Sequence, residues 1–102
     1  MRLLDIFGSK AQTRLIEYLL EHRERIFNQA WLARVLSLSP STIARVVEPL
    51  AKNELVRVER VGKQMKVISL NLENPKTALL CEFYDKLKHM DRSVAEDSPN
   101  KR

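Results

Sequence analysis

The sequence predicts a mainly α-helical domain with one small β-hairpin. Four segments carry apolar residues at the three- and four-residue spacing of amphipathic helices. One later segment alternates apolar and polar residues on both sides of a glycine, which is the pattern of a hairpin. Only two Gly and four Pro interrupt the 102 residues, a length that suits one compact domain.

The composition narrows the possible functions. Hydrophobic residues make up 44% and charged residues 30%, which is typical of globular rather than disordered chains. No apolar run approaches the roughly 18 residues of a membrane span, and the acid within residues 1–8 argues against a signal peptide. The single cysteine, Cys81, cannot form an internal disulfide, which fits a reducing cytoplasm. The net charge of +5 favours a polyanionic partner, with nucleic acid ahead of an anionic membrane.

Ser9 marks the start of the first predicted helix. Its hydroxyl can accept from the first-turn amides, and Gln12 lies at the spacing of a capping box. The helix is expected over about residues 10–23. The apolar arm formed by residues 1–8 is expected to pack on the core or on a partner chain.

The next two predicted helices are separated by a turn of about three residues. Asn28 is a good N-cap for a short helix over about residues 29–36. Ser39 caps the third helix, which has Pro40 at its first position, where the missing amide costs nothing.

The end of the third helix carries two signals. Pro49 lacks the amide that would bond to the carbonyl of Arg45, so it should bend the helix or loosen its last turn. Asn53 is expected to take the left-handed conformation that ends a helix.

The remaining chain is predicted to form the hairpin, one helix and a tail. Residues 55–60 and 65–72 alternate as two strands around Gly62. Asn74 and Pro75 then start an amphipathic helix of about 16 residues. These signals divide the chain into an arm over 1–8, a domain over 9–73, a last helix over 74–91 and a disordered polar tail over 92–102.

Several segments of the chain together match a known pattern. They are Asn28-Gln29-Ala30-Trp31-Leu32-Ala33, Leu38-Ser39-Pro40-Ser41-Thr42-Ile43-Ala44-Arg45, Leu50-Ala51-Lys52-Asn53-Glu54-Leu55-Val56 and Gly62-Lys63. Two helices joined by a tight turn and followed by a hairpin have the order of a DNA-binding helix-turn-helix with a wing. Over about residues 9–90 the chain resembles the winged helix-turn-helix transcription regulators, particularly the small dimeric kind of the ArsR and MarR families.

This resemblance implies a winged helix-turn-helix with an added C-terminal dimerisation helix. Two features depart from the family pattern. Glu54 stands where the family usually has a glycine before the Leu-Val that opens the wing. The Cys and His clusters of metal-sensing members are missing, since the chain has only His22, Cys81 and His89, so no metal and no cofactor is expected.

The third helix has an apolar side and a polar side. The apolar side is formed by Ile43, Val46, Val47 and Leu50. At about 100° per residue, the opposite side carries Ser41, Arg45, Glu48 and Lys52. Its small polar N-terminal half could enter the major groove, where Arg45 can fork onto a guanine edge. The alternative is a solvated helix face without a ligand.

Cations and polar side chains of the helix-turn-helix and the hairpin complete the predicted interface. The predicted DNA-binding residues are Gln29, Ser39, Ser41, Thr42, Arg45, Lys52, Arg57, Arg60, Lys63 and Lys66. In the hairpin, Arg60 and Lys63 are the strongest candidates for phosphate or minor-groove contact, although charges there could also protect a sheet edge. Glu48 accepts from a cytosine amine, pairs with Lys52 or disfavours wrong DNA sequences, and the pairing is favoured.

The last helix is apolar enough to suggest a second chain as its partner. The predicted dimer interface consists of Leu80, Phe83, Tyr84, Leu87 and Met90. The alternative is that this helix folds back on its own domain. Trp31 and Cys81 are interpreted as packing residues.

The sequence thus predicts a cytoplasmic, homodimeric protein that binds double-stranded DNA sequence-specifically and regulates transcription, with repression favoured. No catalytic constellation is found, so the protein is not expected to be an enzyme. Two alternatives remain open: a winged-helix protein–protein adaptor, and a sequence-blind architectural DNA-binding protein.

Overall fold

The described part of the chain folds into four helices and three strands. The structure, a computed structural model, describes the backbone of residues 9–97 and the side chains of residues 9–90. In chain order the elements are α1 (Lys10–Glu21), β1 (Phe27–Asn28), α2 (Gln29–Val35), α3 (Pro40–Lys52), β2 (Val56–Val61), β3 (Met65–Leu70) and α4 (Pro75–Asp97). The strands form an antiparallel sheet in the order β1-β3-β2. The predicted fold class, a mainly α winged helix-turn-helix, is confirmed: α2 and α3 are the helix-turn-helix, and the β2–β3 hairpin is the wing.

The helices start where the sequence places their caps. The predicted cap side chains that accept a first-turn amide are Ser9, Asn28, Ser39 and Asn74. Asn28 accepts two amides through Oδ1, from Ala30 at 2.8 Å and Trp31 at 3.2 Å. Each cap satisfies donors that have no partner within the helix, which stabilises it by about 1 kcal/mol.

The core lies between α1, α3 and the sheet. Its fully buried aliphatic side chains are Leu15, Leu19, Leu20, Leu32, Ile43 and Ile68. The whole apolar side of α3 faces this core, because Val46, Val47 and Leu50 are buried as well. Burial of each such side chain contributes about 1.5–3 kcal/mol, so α3 has one strongly preferred rotation about its axis.

An aromatic cluster closes the core beside α2. The rings of Phe27 and Trp31 are stacked with centroids 5.7 Å apart, and Tyr18 lies 5.4 Å from Phe27. Trp31 is therefore a packing residue, as predicted.

The two helices of the helix-turn-helix end on left-handed residues that are not glycine. Ser37 has φ +57° after α2, and Glu54 has φ +62° after α3. At the end of α3, the amide of Glu54 donates to the Ala51 carbonyl and that of Leu55 to the Leu50 carbonyl, which is the Schellman arrangement. The prediction that Asn53 takes the left-handed conformation is wrong, because Asn53 has φ −90° and Glu54 provides the turn one residue later.

Polar side chains hold the strained Glu54 in place. Its carbonyl accepts from the side-chain amides of Asn74 at 2.8 Å and Asn71 at 3.0 Å. The Thr77 hydroxyl donates to the neighbouring Leu55 carbonyl at 3.4 Å. These bonds tie the end of α3 to the segment that opens α4.

Helix α3 runs unbroken through Pro49, whose carbonyl accepts from the backbone and side chain of Asn53.

The last helix is longer than predicted. It continues to Asp97, beyond the predicted end at residue 91, so residues 92–97 are helical and do not belong to the disordered tail predicted over 92–102. Residues 92–97 contain no glycine or proline to break the helix. The predicted arm over 1–8 and the tail residues 98–102 lie outside the described residues.

Part of the predicted dimer face packs within the chain. Tyr84 and Leu87 are buried against the domain, and Leu80 is half-buried, so they do not form an exposed stripe. Polar contacts fix this packing: the Tyr84 hydroxyl donates to the Glu21 carboxylate, which also accepts from Lys88 Nζ at 2.9 Å. Arg23 forms an ion pair with Asp85. The prediction is wrong for Tyr84 and Leu87, because α4 turns that side towards α1, whereas Phe83 and Met90 remain exposed.

Replacing Glu54 with glycine should stabilise the protein. Glycine takes φ +62° without the steric cost of a Cβ atom, so Glu54→Gly is expected to raise the free energy of unfolding by about 0.5–1 kcal/mol. Asn53→Gly is the matched control, because Asn53 has an ordinary φ. This variant removes the hydrogen bond from the Asn53 side chain to the Pro49 carbonyl, and it should destabilise the protein. Urea unfolding followed by circular dichroism measures both, and a destabilised Glu54→Gly variant would contradict this account.

The contact between α1 and α4 should weaken in acid. The hydrogen bond from Tyr84, together with Lys88, holds the pKa of Glu21 below its ordinary value of 4.5. Arg23 holds the pKa of Asp85 below 3.8. A carboxyl group whose pKa is lowered by folding stabilises the folded state at pH values above its ordinary pKa. This stabilisation is lost as the pH falls through the lowered pKa. We expect the free energy of unfolding to fall between about pH 5 and pH 3.

Two variants test the assignment of that acid sensitivity. Tyr84→Phe with Arg23→Gln should flatten the pH dependence of unfolding in this range. Glu82→Gln is the control, since Glu82 pairs with Lys86 inside α4 and does not reach α1. If the free energy of unfolding depends on pH equally in the control and the double variant, the acid sensitivity does not come from the contact between α1 and α4.

Candidate nucleic-acid interface

The outer side of α3 is exposed. Because the apolar stripe faces the core, the opposite side chains are exposed; they are Ser41, Ala44, Arg45, Glu48 and Lys52. The small residues lie in the first half of the helix. The Arg45 guanidinium has no hydrogen-bond or ion-pair partner among the described residues. This helix face can therefore approach another surface closely and offer a free guanidinium to it.

Three hydroxyl groups cluster at the N-terminus of α3. Ser39 Oγ accepts from the Thr42 amide at 3.2 Å and donates to Thr42 Oγ1 at 2.8 Å. Ser41 Oγ lies 3.3 Å from Ser39 Oγ. Since the hydrogen of Ser39 is directed to Thr42, the hydrogen of the Thr42 hydroxyl remains available to an outside acceptor. Ser39 thus acts mainly as the helix cap, with Ser41 and Thr42 as the outward hydroxyl groups.

The wing places two cations directly opposite each other. Arg60 pairs with Lys66 across the strands, on the same side as the pairs Val56–Leu70 and Val58–Ile68. Like charges at directly opposed positions destabilise a hairpin, so an anion between them would relieve a cost that the free protein bears. The strands continue the core-facing side of the sheet beyond the core itself, which brings these cations to the side of α3.

The tip of the wing presents Lys63. Gly62 has φ +68°, a left-handed conformation that starts the turn between the strands. The Arg60 guanidinium donates to the Lys63 carbonyl at 3.4 Å across this turn. The Lys63 side chain is exposed, and in the described residues it has no ion-pair partner.

A groove separates the wing from α3. It is lined by Gln29, Ala44, Val47, Glu48, Ala51, Lys52, Val58 and Lys66. An adjoining cleft at the wing tip is lined by Asn28, Gln29, Ala30, Pro40, Ile43, Gln64, Met65 and Lys66. Gln29 and Lys66 belong to both, so α2, α3 and the wing contribute to one continuous concave surface. We call this surface, with the outer side of α3 and the wing tip, the α3–wing face.

Arg57 does not belong to the α3–wing face. It is paired with Ser69 in the strand register, on the opposite side of the wing from Arg60 and Lys66. Its guanidinium forms an ion pair with Glu73 at 2.7 Å at the base of the hairpin. The predicted DNA contact of Arg57 is therefore withdrawn, because the alternation of the strand turns its side chain away and a carboxylate already occupies it.

The amides at the N-terminus of α2 are also occupied. Asn28 accepts from the amides of Ala30 and Trp31, so these donors are not free for a phosphate. Gln29 is half-buried at the edge of the groove. Two lining residues were not predicted: Val58, which the alternation of β2 places on the same side as Lys66, and Gln64, which lies in the turn before β3.

The predicted ion pair between Glu48 and Lys52 is not formed. In the part of the chain with described side chains, the ion pairs are Arg23–Asp85, Arg57–Glu73, Lys86–Glu82 and Lys88–Glu21. Glu48 and Lys52 thus present their charges separately on the α3–wing face.

The remaining candidate chemical groups lie elsewhere. Cys81 is buried on α4, and burial raises the pKa of its thiol. His22 packs with its ring centroid 4.5 Å from that of Tyr18. Among residues 9–90, no group of three or more His, Cys, Asp or Glu side chains is placed to hold a metal ion. No helix in the described range has the length and apolar character needed to span a bilayer.

Solved transcription regulators share this fold. MepR, a transcription regulator of the multidrug efflux pump MepA of Staphylococcus aureus, is 18% identical and superposes with a TM-score of 0.70 over 97% of this chain and 73% of its own. A variant of ZitR from Lactococcus lactis in apo form is 20% identical, with a TM-score of 0.67 over 92% of this chain and 68% of its own. A transcriptional regulator homologue from Pyrococcus horikoshii is 18% identical, with a TM-score of 0.64 over 88% of each chain.

Another ZitR variant, with a TM-score of 0.66 to this chain, was solved in complex with DNA. No protein family and no curated protein sequence matches the chain significantly. At these identities the structural likeness shows the winged-helix fold that the resemblance in sequence predicts.

Proposed function

We propose that this protein is a sequence-specific, double-stranded-DNA-binding transcription regulator. The observation that carries the proposal is the α3–wing face, where an exposed polar helix and the cations of a hairpin border one groove. The fold is one that transcription regulators share, and one of these regulators has been solved with DNA.

The proposed mechanism begins with α3 in the major groove. That groove is about 12 Å wide and admits an α-helix, and the small side chains in the first half of α3 allow close approach. The unpaired guanidinium of Arg45 is long enough to donate two hydrogen bonds to O6 and N7 of a guanine. The Thr42 hydroxyl donates to a phosphate or a base edge near the helix N-terminus, and Ser41 does so once its hydroxyl turns away from Ser39.

The wing provides the electrostatic part of binding. Lys63 reaches the adjacent phosphates or the minor groove from the tip, while Arg60 and Lys66 neutralise phosphates beside α3. Each neutralised phosphate releases counterions, so the affinity should fall steeply with salt. Lys52, at the last turn of α3, contacts the backbone on the other side of the groove.

A homodimer would double this interface. The exposed apolar side chains of α4 are Leu79, Phe83 and Met90, with exposed fractions of 66%, 42% and 61%. Burial of this stripe against a second copy would set two α3 helices about 34 Å apart, which is one turn of DNA. We propose repression in the cytoplasm as the outcome, because a dimer seated on its operator excludes other proteins from the same DNA.

An adaptor function is less well supported. Protein–protein interfaces have an apolar centre depleted of charged residues, whereas the outer side of α3 carries Arg45, Glu48 and Lys52. A sequence-blind architectural role would not need the free guanidinium of Arg45 over small neighbours.

Selection from randomised duplexes tests the proposed function. The bound duplexes should share a motif of two inverted half-sites, about 10 base pairs apart from centre to centre. Arg45→Ala should lose the preference for one base, at a cost of about 1–3 kcal/mol on the selected duplex and little on random DNA. Tight binding without any shared motif would support the architectural alternative, and no duplex binding would support the adaptor.

A salt titration tests the wing. Lys63→Gln should weaken binding to all duplexes and reduce the slope of log affinity against log salt by about one. Arg57→Gln is the matched control, because it removes one positive charge from the same hairpin on the side that faces Glu73. The control should change the slope less. Equal changes for the two variants would contradict the proposed contact between Lys63 and DNA.

A further inference from the structure

One carboxylate lies in the middle of the outer side of α3. Glu48 is exposed, three residues after Arg45 and four residues before Lys52. Side chains at these spacings are neighbours on a helix and commonly form ion pairs. Neither pair forms, and in the described part of the chain Glu48 has no hydrogen-bond or ion-pair partner.

The position of Glu48 makes it costly for binding to a polyanion. It lines the groove between α3 and the wing, together with Val58 and Lys66. A carboxylate there repels the phosphates that Lys52, Lys66 and the wing tip attract. If the only role of this face were to neutralise phosphates, a neutral residue at this position would give a higher affinity.

We propose that Glu48 is a specificity-determining residue that accepts a hydrogen bond from the N4 amino group of a cytosine. This inference rests on the proposed function. In the major groove cytosine presents a donor, whereas guanine and thymine present acceptors that repel a carboxylate. Adenine offers a donor as well, but its N7 acceptor lies beside it, so a carboxylate that can only accept favours cytosine.

The spacing along α3 indicates which base pair Glu48 reads. Three residues of α-helix span roughly 4.5 Å, and successive base pairs are about 3.4 Å apart. Arg45 and Glu48 therefore reach adjacent base pairs. The half-site then contains a guanine contacted by Arg45 and, one base pair away, a cytosine contacted by Glu48.

The unpaired state of Glu48 supports this assignment. An ion pair with Lys52 would have to be broken before the carboxylate could accept from a base. Since both groups are free, the carboxylate is available to the base edge and the ammonium group to a phosphate at no such cost.

The test compares selected motifs for the wild type, Glu48→Ala, Glu48→Gln and Glu59→Gln. Glu59 is an exposed acid on the opposite side of the wing, paired with Val67, so Glu59→Gln controls for the loss of one negative charge. Glu48→Ala should lose about tenfold in preference for cytosine at one position. Glu48→Gln should move that preference to adenine, because a glutamine side chain pairs with N6 and N7. Glu59→Gln should keep the wild-type motif.

The outcomes separate the two proposals. A wild type that selects no motif overturns the proposed function, and this inference with it. A wild-type motif that Glu48→Ala and Glu48→Gln retain unchanged overturns the inference alone, since the carboxylate would then act only on overall affinity, as Glu59 does. Thermal unfolding of each variant checks that these exposed substitutions leave the fold intact.

Discussion

The burial of one side of α3 is the constraint on which the rest of the molecule depends. Ile43, Val46, Val47 and Leu50 fix the rotation of this helix, because turning it would expose several aliphatic side chains at about 1.5–3 kcal/mol each. The direction of Arg45 and Glu48 follows from that rotation, since both lie on the opposite side. The core thus determines which polar groups of α3 face outward.

Two strained helix ends then fix the direction of α3 relative to its neighbours. Ser37 and Glu54 adopt left-handed conformations that a glycine would take at lower cost. At Glu54 the cost is offset by the amides of Asn71 and Asn74, which bond to its carbonyl from the segment between the wing and α4. The end of α3, the base of the wing and the start of α4 therefore meet at one residue.

Local signals in the sequence predicted the fold and placed most of the candidate DNA-binding residues on the α3–wing face. Helix caps, the apolar stripe of α3 and the alternation of the wing depend on residues a few positions apart, so Ser39, Arg45 and Lys63 were placed correctly on their elements. Two errors involve partners far apart in the chain, since Arg57 pairs with Glu73 and Tyr84 with Glu21, and local spacing does not encode such pairs. The alternation of the strand already placed Arg57 on the other side from Arg60, and the error at Asn53 is a shift of one residue. The Glu48–Lys52 pair fails for another reason, because an exposed pair gains only a few tenths of a kcal/mol and spacing alone does not ensure its formation.

Charge is distributed so that stability and binding depend on different residues. The acids that form ion pairs among the described side chains are Glu21, Glu73, Glu82 and Asp85, and none of them lies on α3. Lys52, Lys63 and Lys66 are cations of the α3–wing face, and none of the three forms an ion pair with a described side chain. An unpaired cation contributes nothing to folding and a full charge to association. Glu48 is the acid that lies among these cations. Its charge weakens contacts with phosphate whatever the DNA sequence, whereas a contact with a base raises the affinity for some sequences over others.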